Sequence, residues 1–254
     1  MPFINNKPWN VQLLLFTHLL VAILISSLFL ESTRFIWIPL DTACFRVLNS
    51  LIKDSIISQT FWALANHRLA DWVEDVCFFL LFSWIIFATP KEQRIKKTAE
   101  CFFILLYSAI TILVSNELIF RELLHVQRKS PTLVLDSYVF LPEKITWLKV
   151  KAKSLKSFPG DHATTALLSM AGFYYLARNK RLIQIVAITY GILLILPRLI
   201  VGAHWITDIL IGSGSIVMIA WAWAFFTPLA STCIKSLENL FSKLTWKTRR
   251  NPHA

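Results

Sequence analysis

The chain has few charged residues for its length. Only 16% of its 254 residues are Asp, Glu, Lys or Arg, whereas 56% are hydrophobic, and its mean hydropathy is +0.57. Soluble globular domains carry about 25% charged residues. The shortage of charge therefore excludes an ordinary soluble domain and indicates a membrane protein.

Acidic residues and cysteines are scarce as well. Asp and Glu number 15 against 26 Lys and Arg, which gives a net charge of +11. A basic chain threaded through a bilayer needs no nucleic acid to explain this excess. The four cysteines show no CxxC motif and no metal-ligand spacing, so we expect no cysteine-bound metal and no structural disulfide.

Long hydrophobic runs are abundant. Each is close to the roughly 20 apolar residues that cross a bilayer. They predict an all-α, polytopic membrane protein with one membrane domain over residues 1–254, motifs within about 101–226, and a cytoplasmic amphipathic tail over 227–254. The six predicted transmembrane helices cover residues 11–30, 73–89, 101–120, 163–177, 182–199 and 206–226.

Charge in the short loops predicts the orientation. Loops 90–100 and 178–181 and the C-terminal tail are basic and fall on the same side as the N-terminus, which should be cytoplasmic. Segments 31–72 and 121–160 and the loop around His204 then face outward. Segment 121–160 is also basic, either as a solvated loop near anionic headgroups or as a funnel for a polyanionic substrate. We favour the funnel for Arg128 and Lys129.

The strongest chemical signal is a histidine and an aspartate behind an arginine, at His204, Asp208 and Arg198. Four residues separate His204 from Asp208, so on a helix they would share a face. Asp208 could then accept a hydrogen bond from one ring nitrogen and leave the other free to attack. Arg198 can fork onto phosphate oxygens.

A second histidine follows an upstream loop in Ser157-Phe-Pro159-Gly160-Asp161-His162. Together with the downstream set, it predicts phosphoryl transfer through a phosphohistidine. Because the chain is a membrane protein, the expected substrate is a lipid phosphate.

The order and spacing of these motifs resemble those of the type 2 phosphatidic acid phosphatase superfamily. That family has a basic first motif ending in Arg-Pro, a second of Pro-Ser-Gly-His and a third of Ser-Arg-x5-His-x3-Asp. Here Arg198, His204 and Asp208 match the third motif, with Pro197 in the serine place. Pro159 and His162 match the second.

The departures from that pattern resemble one branch of the family, the lipid A 1-diphosphate synthases of Gram-negative inner membranes. Gly160 stands in the serine place and Asp161 in the glycine place of the second motif. The first motif reads Arg128-Lys129-Ser-Pro-Thr-Leu instead of ending in Arg-Pro. Such segments are expected in that branch, and the resemblance covers most of the chain.

The resemblance implies catalytic roles for three residues. His204 would be the nucleophile on phosphorus, Asp208 would orient it, and His162 would be the general acid for the leaving oxygen.

It also implies a phosphate-binding set. Arg198 and Arg128 would neutralise the phosphate oxygens, helped by Lys129, while Gly160 would let the backbone approach closely. No metal or other cofactor is expected, because the arginines supply the charge.

The function implied is a multi-pass enzyme of the bacterial inner membrane with its active site facing the periplasm. It would move the terminal phosphate of undecaprenyl diphosphate to the 1-phosphate of lipid A. The first alternative is a phosphatase that hydrolyses undecaprenyl diphosphate, phosphatidylglycerophosphate or lipid A phosphate. The second is a non-catalytic lipid-binding or transport protein. Intramembrane charges would be expected along the spans of that last class, whereas here they concentrate at the outer ends.

Overall fold

A computed structural model describes residues 9–178 and 180–250, and this part of the chain is helical with no strand. The last four residues of the predicted tail lie outside the described residues. The α-helices are α1 Val11–Phe29, α2 Glu31–Arg34, α3 Trp37–Ser50, α4 Ile56–Ala65, α5 Arg68–Phe87, α6 Arg94–Ile112, α7 Leu141–Lys144, α8 Asp161–Leu176, α9 Arg181–Ile200, α10 Gly214–Phe226 and α11 Leu229–Arg250.

A helix stands at each of the six predicted spans. Four continuous helical stretches are long and apolar enough to cross a membrane: Val11–Phe29, Lys91–Leu123, Arg181–Ile200 and Asp208–Phe226. Helices α5 and α8, which correspond to the second and fourth predicted spans, are not among them: α8 has only 16 residues, and the first half of α5 carries Asp71, Glu74 and Asp75. The described chain is therefore an all-helical protein with four candidate membrane-spanning helices.

Two of the candidate spans contain π-helical turns. The segment Leu113–Leu123 continues α6, and Asp208–Ser213 leads into α10. Such wider turns are rare and occur frequently at functional sites. Here they carry Asn116 and Arg121 at one place and Asp208 at the other, which are side chains that contact the predicted motifs.

The long helices pack in pairs. Helix α8 lies along α9, α10 lies against α1, and α11 lies against α6. Buried apolar side chains of α5, α6 and α8 to α11 form one core, in which Phe173 stacks on Phe78 of α5. This core holds the bundle at the end opposite to the three motifs.

The segment between α1 and α5 packs onto the motif end of the bundle. Asn49 of α3 donates from Nδ2 to the carbonyl oxygens of Ile200 at 3.0 Å and Val139 at 3.1 Å, and accepts from the amide of Val139 at 2.8 Å. A second core forms there from α3, α4, the end of α9 and the segment around α7, including Ile52, Leu141 and Ile145. The segment 141–156 thus contributes buried side chains to this core.

Candidate active site

The third motif folds into a tight turn at the end of α9. Gly202 has φ +78°, a left-handed conformation that side chains other than glycine rarely adopt. A Cβ atom at this position would also lie 2.6 Å from Phe45 and 2.7 Å from Thr132. Glycine therefore lets the chain reverse tightly and brings His204 back toward the bundle.

His204 lies in this turn and not on a helix, since regular helix resumes only after Trp205. Its Nδ1 lies 2.6 Å from the main-chain oxygen of Ser157 and 3.8 Å from Oδ2 of Asp208. A carbonyl only accepts hydrogen bonds, so Nδ1 carries the proton. The hydrogen bond predicted to go to Asp208 therefore goes to Ser157. Asp208 remains close enough to attract a positive charge on the ring.

Asp208 is fully buried and has other partners. Its Oδ2 accepts from the amide of Trp205 at 2.8 Å, which fixes the start of the helix that follows. Its Oδ1 accepts from Nη1 of Arg128. Asp208 thus ties the first motif to the third beside the His204 ring.

Arg128 lies between two carboxylates. Besides Asp208, it donates from Nη2 to Oδ2 of Asp41 at 2.6 Å and from Nη1 to Oγ1 of Thr207 at 2.8 Å. Its guanidinium lies over the Trp205 ring, 5.7 Å from the centroid. Arg128 was predicted to bind phosphate, but in this arrangement its positive charge is directed toward Asp41 and Asp208.

Asp41 was not identified from the sequence. It comes from α3 and is buried, and it also accepts from the amide and hydroxyl of Thr207 at 3.1 Å and 2.8 Å. Burial raises the pKa of this carboxyl, while the Arg128 charge and the Thr207 hydrogen bonds act in the opposite direction.

The second histidine lies beside Arg198. Nη2 of Arg198 is 3.1 Å from Nε2 of His162 and 3.1 Å from Oδ1 of Asp71, and its Nη1 donates to the carbonyl of Asn66 at 2.6 Å. A guanidinium only donates, so Nε2 of His162 accepts and carries no proton here. Nδ1 of His162 lies 3.8 Å from Oδ1 of Asp71.

Asn66 and Asp71 belong with Arg68 to a polar cluster for which the sequence alone favours a surface turn. In the structure, Asn66 and Asp71, which lie around the start of α5, both contact Arg198 of α9, and Asn66 is buried. The sequence contained one sign of a functional role here, the three polar residues Asn66, Arg68 and Asp71 directly before a predicted span. A lone sequence does not tell such a cluster from a solvated turn.

Gly160 lies directly beside His204. A Cβ atom built on Gly160 would be 3.6 Å from Nδ1 of His204 and 3.6 Å from the Ser213 hydroxyl, which donates to the Gly160 carbonyl at 3.0 Å. The next residue, Asp161, forms an ion pair with Arg121 and accepts from Asn116 at 2.8 Å. Its negative charge is therefore compensated by the π-helical end of the α6 stretch.

Lys129 differs from the other predicted site residues because its side chain is exposed. Only its main chain has a role in the packing, since its carbonyl accepts from Nε1 of Trp205 at 2.8 Å. The structure therefore brings Arg128 to Asp208, Arg198 to His162 and Gly160 to His204, and leaves the Lys129 amine at the surface.

Comparison with known proteins identifies the class. Residues 124–231 match the model of the PAP2 superfamily, and this range contains all three motifs. Over this range the chain is similar to the PAP2 superfamily, and it is an enzyme of the phosphatase or phosphotransferase type.

One relative extends the similarity beyond that range. The chain is 29% identical to the lipid A 1-diphosphate synthase of Escherichia coli (strain K12) over 234 residues, which cover 91% of this chain and 92% of the relative. The comparison with solved structures gave no significant match. The resemblance inferred from the motifs, to the family and to this branch, is confirmed.

Proposed function

We propose that this protein is an inner-membrane phosphotransferase that moves the terminal phosphate of undecaprenyl diphosphate through His204 to the 1-phosphate of lipid A. The donor and acceptor are proposed from the similarity to lipid A 1-diphosphate synthase. The observation that carries the mechanism is the hydrogen bond between Nδ1 of His204 and the Ser157 carbonyl. It assigns the proton to Nδ1 and leaves the lone pair on Nε2 for attack.

In the first step, Nε2 of His204 forms a bond to the terminal phosphorus while the bridging P–O bond breaks. Positive charge develops on the imidazole and is stabilised by the Asp208 carboxylate at 3.8 Å. His162 donates a proton to the leaving oxygen of the lipid monophosphate. To do so it must first be protonated, and an incoming phosphate that draws Arg198 away from Nε2 of His162 would free that nitrogen.

In the second step, an oxygen of the acceptor phosphate attacks the phosphohistidine. The N–P bond breaks, the new P–O bond completes a diphosphate, and His204 returns to its neutral state. Arg198 neutralises the phosphoryl oxygens in both steps, and the backbone at Gly160 can approach them because no side chain intervenes. Water in the place of the acceptor would make the same site a phosphatase.

We also propose six spans, with the site at the periplasmic surface. Contacts at the opposite end support this topology: Nζ of Lys180 donates to the Ala88 carbonyl at 2.6 Å, and Phe241 of α11 packs on Phe102 near the start of α6. The three basic segments predicted to be cytoplasmic thus meet at one end of the bundle, and the motifs lie at the other.

Purified protein incubated with undecaprenyl diphosphate labelled in its terminal phosphate tests the function. With lipid A present, we expect label in a lipid A diphosphate. If saturating lipid A leaves all the label as inorganic phosphate, the transferase proposal is wrong and the phosphatase alternative replaces it.

A further inference from the structure

A cavity of about 430 Å³ lies beside the candidate active site and has no role in the chemistry described so far. It is bounded by the outer end of α1, by α2 and α3, and by the first-motif segment. His162, Arg198 and His204 do not line it. Its volume is within the range of small-molecule sites, and is sufficient for a headgroup with the beginning of its chains.

The polar side of this cavity is positively charged. Arg34, Arg128 and Lys129 line it together with one acidic residue, Asp41. The carboxylate oxygens of Asp41 are engaged by Thr207 and Arg128. Arg34 and Lys129 are exposed and have no ion-pair partner among residues 9–178 and 180–250. Two uncommitted cations therefore face the same opening, as an anionic headgroup requires.

The other side of the cavity is apolar. Leu28 and Phe29 come from the end of α1, a candidate membrane span, and Trp37 and Ile38 begin α3. Phe29 and Ile38 are 42% and 51% exposed, so they offer contact area to an alkyl chain. A free anion would gain nothing from these side chains, whereas a lipid would place its phosphate on the cations and its chains along α1.

The cavity is connected to the catalytic residues through one side chain. Arg128 lines the cavity and pairs with Asp208, whose Oδ2 lies 3.8 Å from Nδ1 of His204. Trp205, the next residue after His204, forms part of the same wall. A phosphate held here would be separated from His204 by Arg128 and Asp208, and it would not occupy the donor position.

We infer that this cavity binds the phosphate headgroup of a second lipid, the acceptor, through Arg34 and Lys129. The acceptor role rests on the proposed phosphotransfer, whereas the binding of a lipid phosphate does not. A transferase needs such a second phosphate position, and a phosphatase does not.

Binding is tested without catalysis, in full-length protein carrying His204→Ala. Native mass spectrometry of the delipidated protein, titrated with dioleoyl phosphatidic acid, gives an apparent Kd for each of two lipids bound, one at the donor position and one in the cavity. We expect the added pair Arg34→Ala and Lys129→Ala to raise one of these two Kd values about tenfold, the effect of two solvent-accessible charge pairs, and to leave the other unchanged. Excess inorganic phosphate should not displace the lipid, and dioleoyl phosphatidylcholine should bind both proteins equally.

The matched control is the pair Arg46→Ala and Lys53→Ala, which removes two exposed cations from the same outer segment but outside the cavity. It should bind phosphatidic acid as the parent does. Equal affinity in all three proteins, an equal loss in both paired variants, or displacement by inorganic phosphate would overturn the inference.

A second measurement, in protein with His204 intact, separates the acceptor role from binding. The ratio of phosphate transferred to phosphate released is followed as each protein consumes the same labelled donor. Loss of Arg34 and Lys129 should lower this ratio severalfold, and the control pair should not change it. If the parent transfers nothing, the proposed function has failed while the binding result stands. If the parent transfers and the ratio does not change, the acceptor role is wrong.

Discussion

His204 and His162 are held in different ways, which suits different chemical roles. His204 has a protonated Nδ1 on a fixed carbonyl and no hydrogen-bond partner for Nε2 among the described residues. Nε2 of His162 accepts a hydrogen bond from a guanidinium that a phosphate can draw away. The first environment prepares a nucleophile, and the second prepares a group that gains its proton only when substrate is bound.

Replacement of either histidine by alanine tests this assignment. We expect His204→Ala and His162→Ala each to lower kcat at least about a thousandfold, as removal of a nucleophile or its acid partner does in other enzymes. Unfolding in detergent should change little, because neither side chain belongs to the apolar cores. Near-normal turnover by purified His204→Ala protein would exclude the phosphohistidine mechanism.

Asp71 is a positioning residue for His162 and Arg198. In Asp71→Asn the nearby negative charge is lost, which disfavours the protonated imidazole that must act as the acid. We expect the high-pH limb of the kcat profile to move to lower pH, together with a lower kcat. Asp75→Asn, one turn further along α5 and exposed, is the control. A uniform loss of activity with an unmoved pH profile would show a purely structural role.

At the scale of elements, the buried Asp41 carboxylate joins α3 to Thr207 of the third motif. Asp41→Ala leaves Nη2 of Arg128 and the Thr207 amide without their acceptor, although Nη1 of Arg128 keeps Asp208, and each buried donor left unsatisfied costs about 1 kcal/mol or more. We expect Asp41→Ala to lower the thermal unfolding temperature in detergent and to lower activity. Asp54→Ala, which removes an exposed carboxylate just after the end of α3, should do neither. Unchanged stability in Asp41→Ala would mean that the network does not hold α3 in place.

Element positions followed from the sequence more readily than contacts between elements. Apolar length is a strong signal, so each predicted span corresponds to a helix. The Ser157 carbonyl was missed because a main-chain acceptor leaves no trace in side-chain identity. Asp41 was missed because an acidic residue in an amphipathic segment resembles a solvated one. Spacing on a helix would have put His204 and Asp208 on one face; in the structure Gly202 starts a turn there, and the two side chains lie close together all the same.

At the scale of the whole molecule, the motif end should face the periplasm. Leu155 is 64% exposed at that end, so Leu155→Cys offers an accessible probe once the four native cysteines are replaced. In intact cells we expect it to react with a membrane-impermeant maleimide, and a cysteine at Lys91 to react only after permeabilisation. The reverse pattern would put the site on the cytoplasmic side and contradict access to exported lipids.

Because the acceptor for Nδ1 of His204 is a main-chain oxygen, the nucleophile's tautomer is insulated from side-chain replacement. Ser157→Ala keeps the carbonyl and loses only the hydroxyl bond to the Arg128 carbonyl at 3.0 Å. In a saturation-mutagenesis map, small residues at 157 should therefore retain activity. Insertions or deletions between 157 and 160 should be lethal to activity, because they displace the oxygen itself. The proton on His204 is thus determined by loop length more than by residue identity.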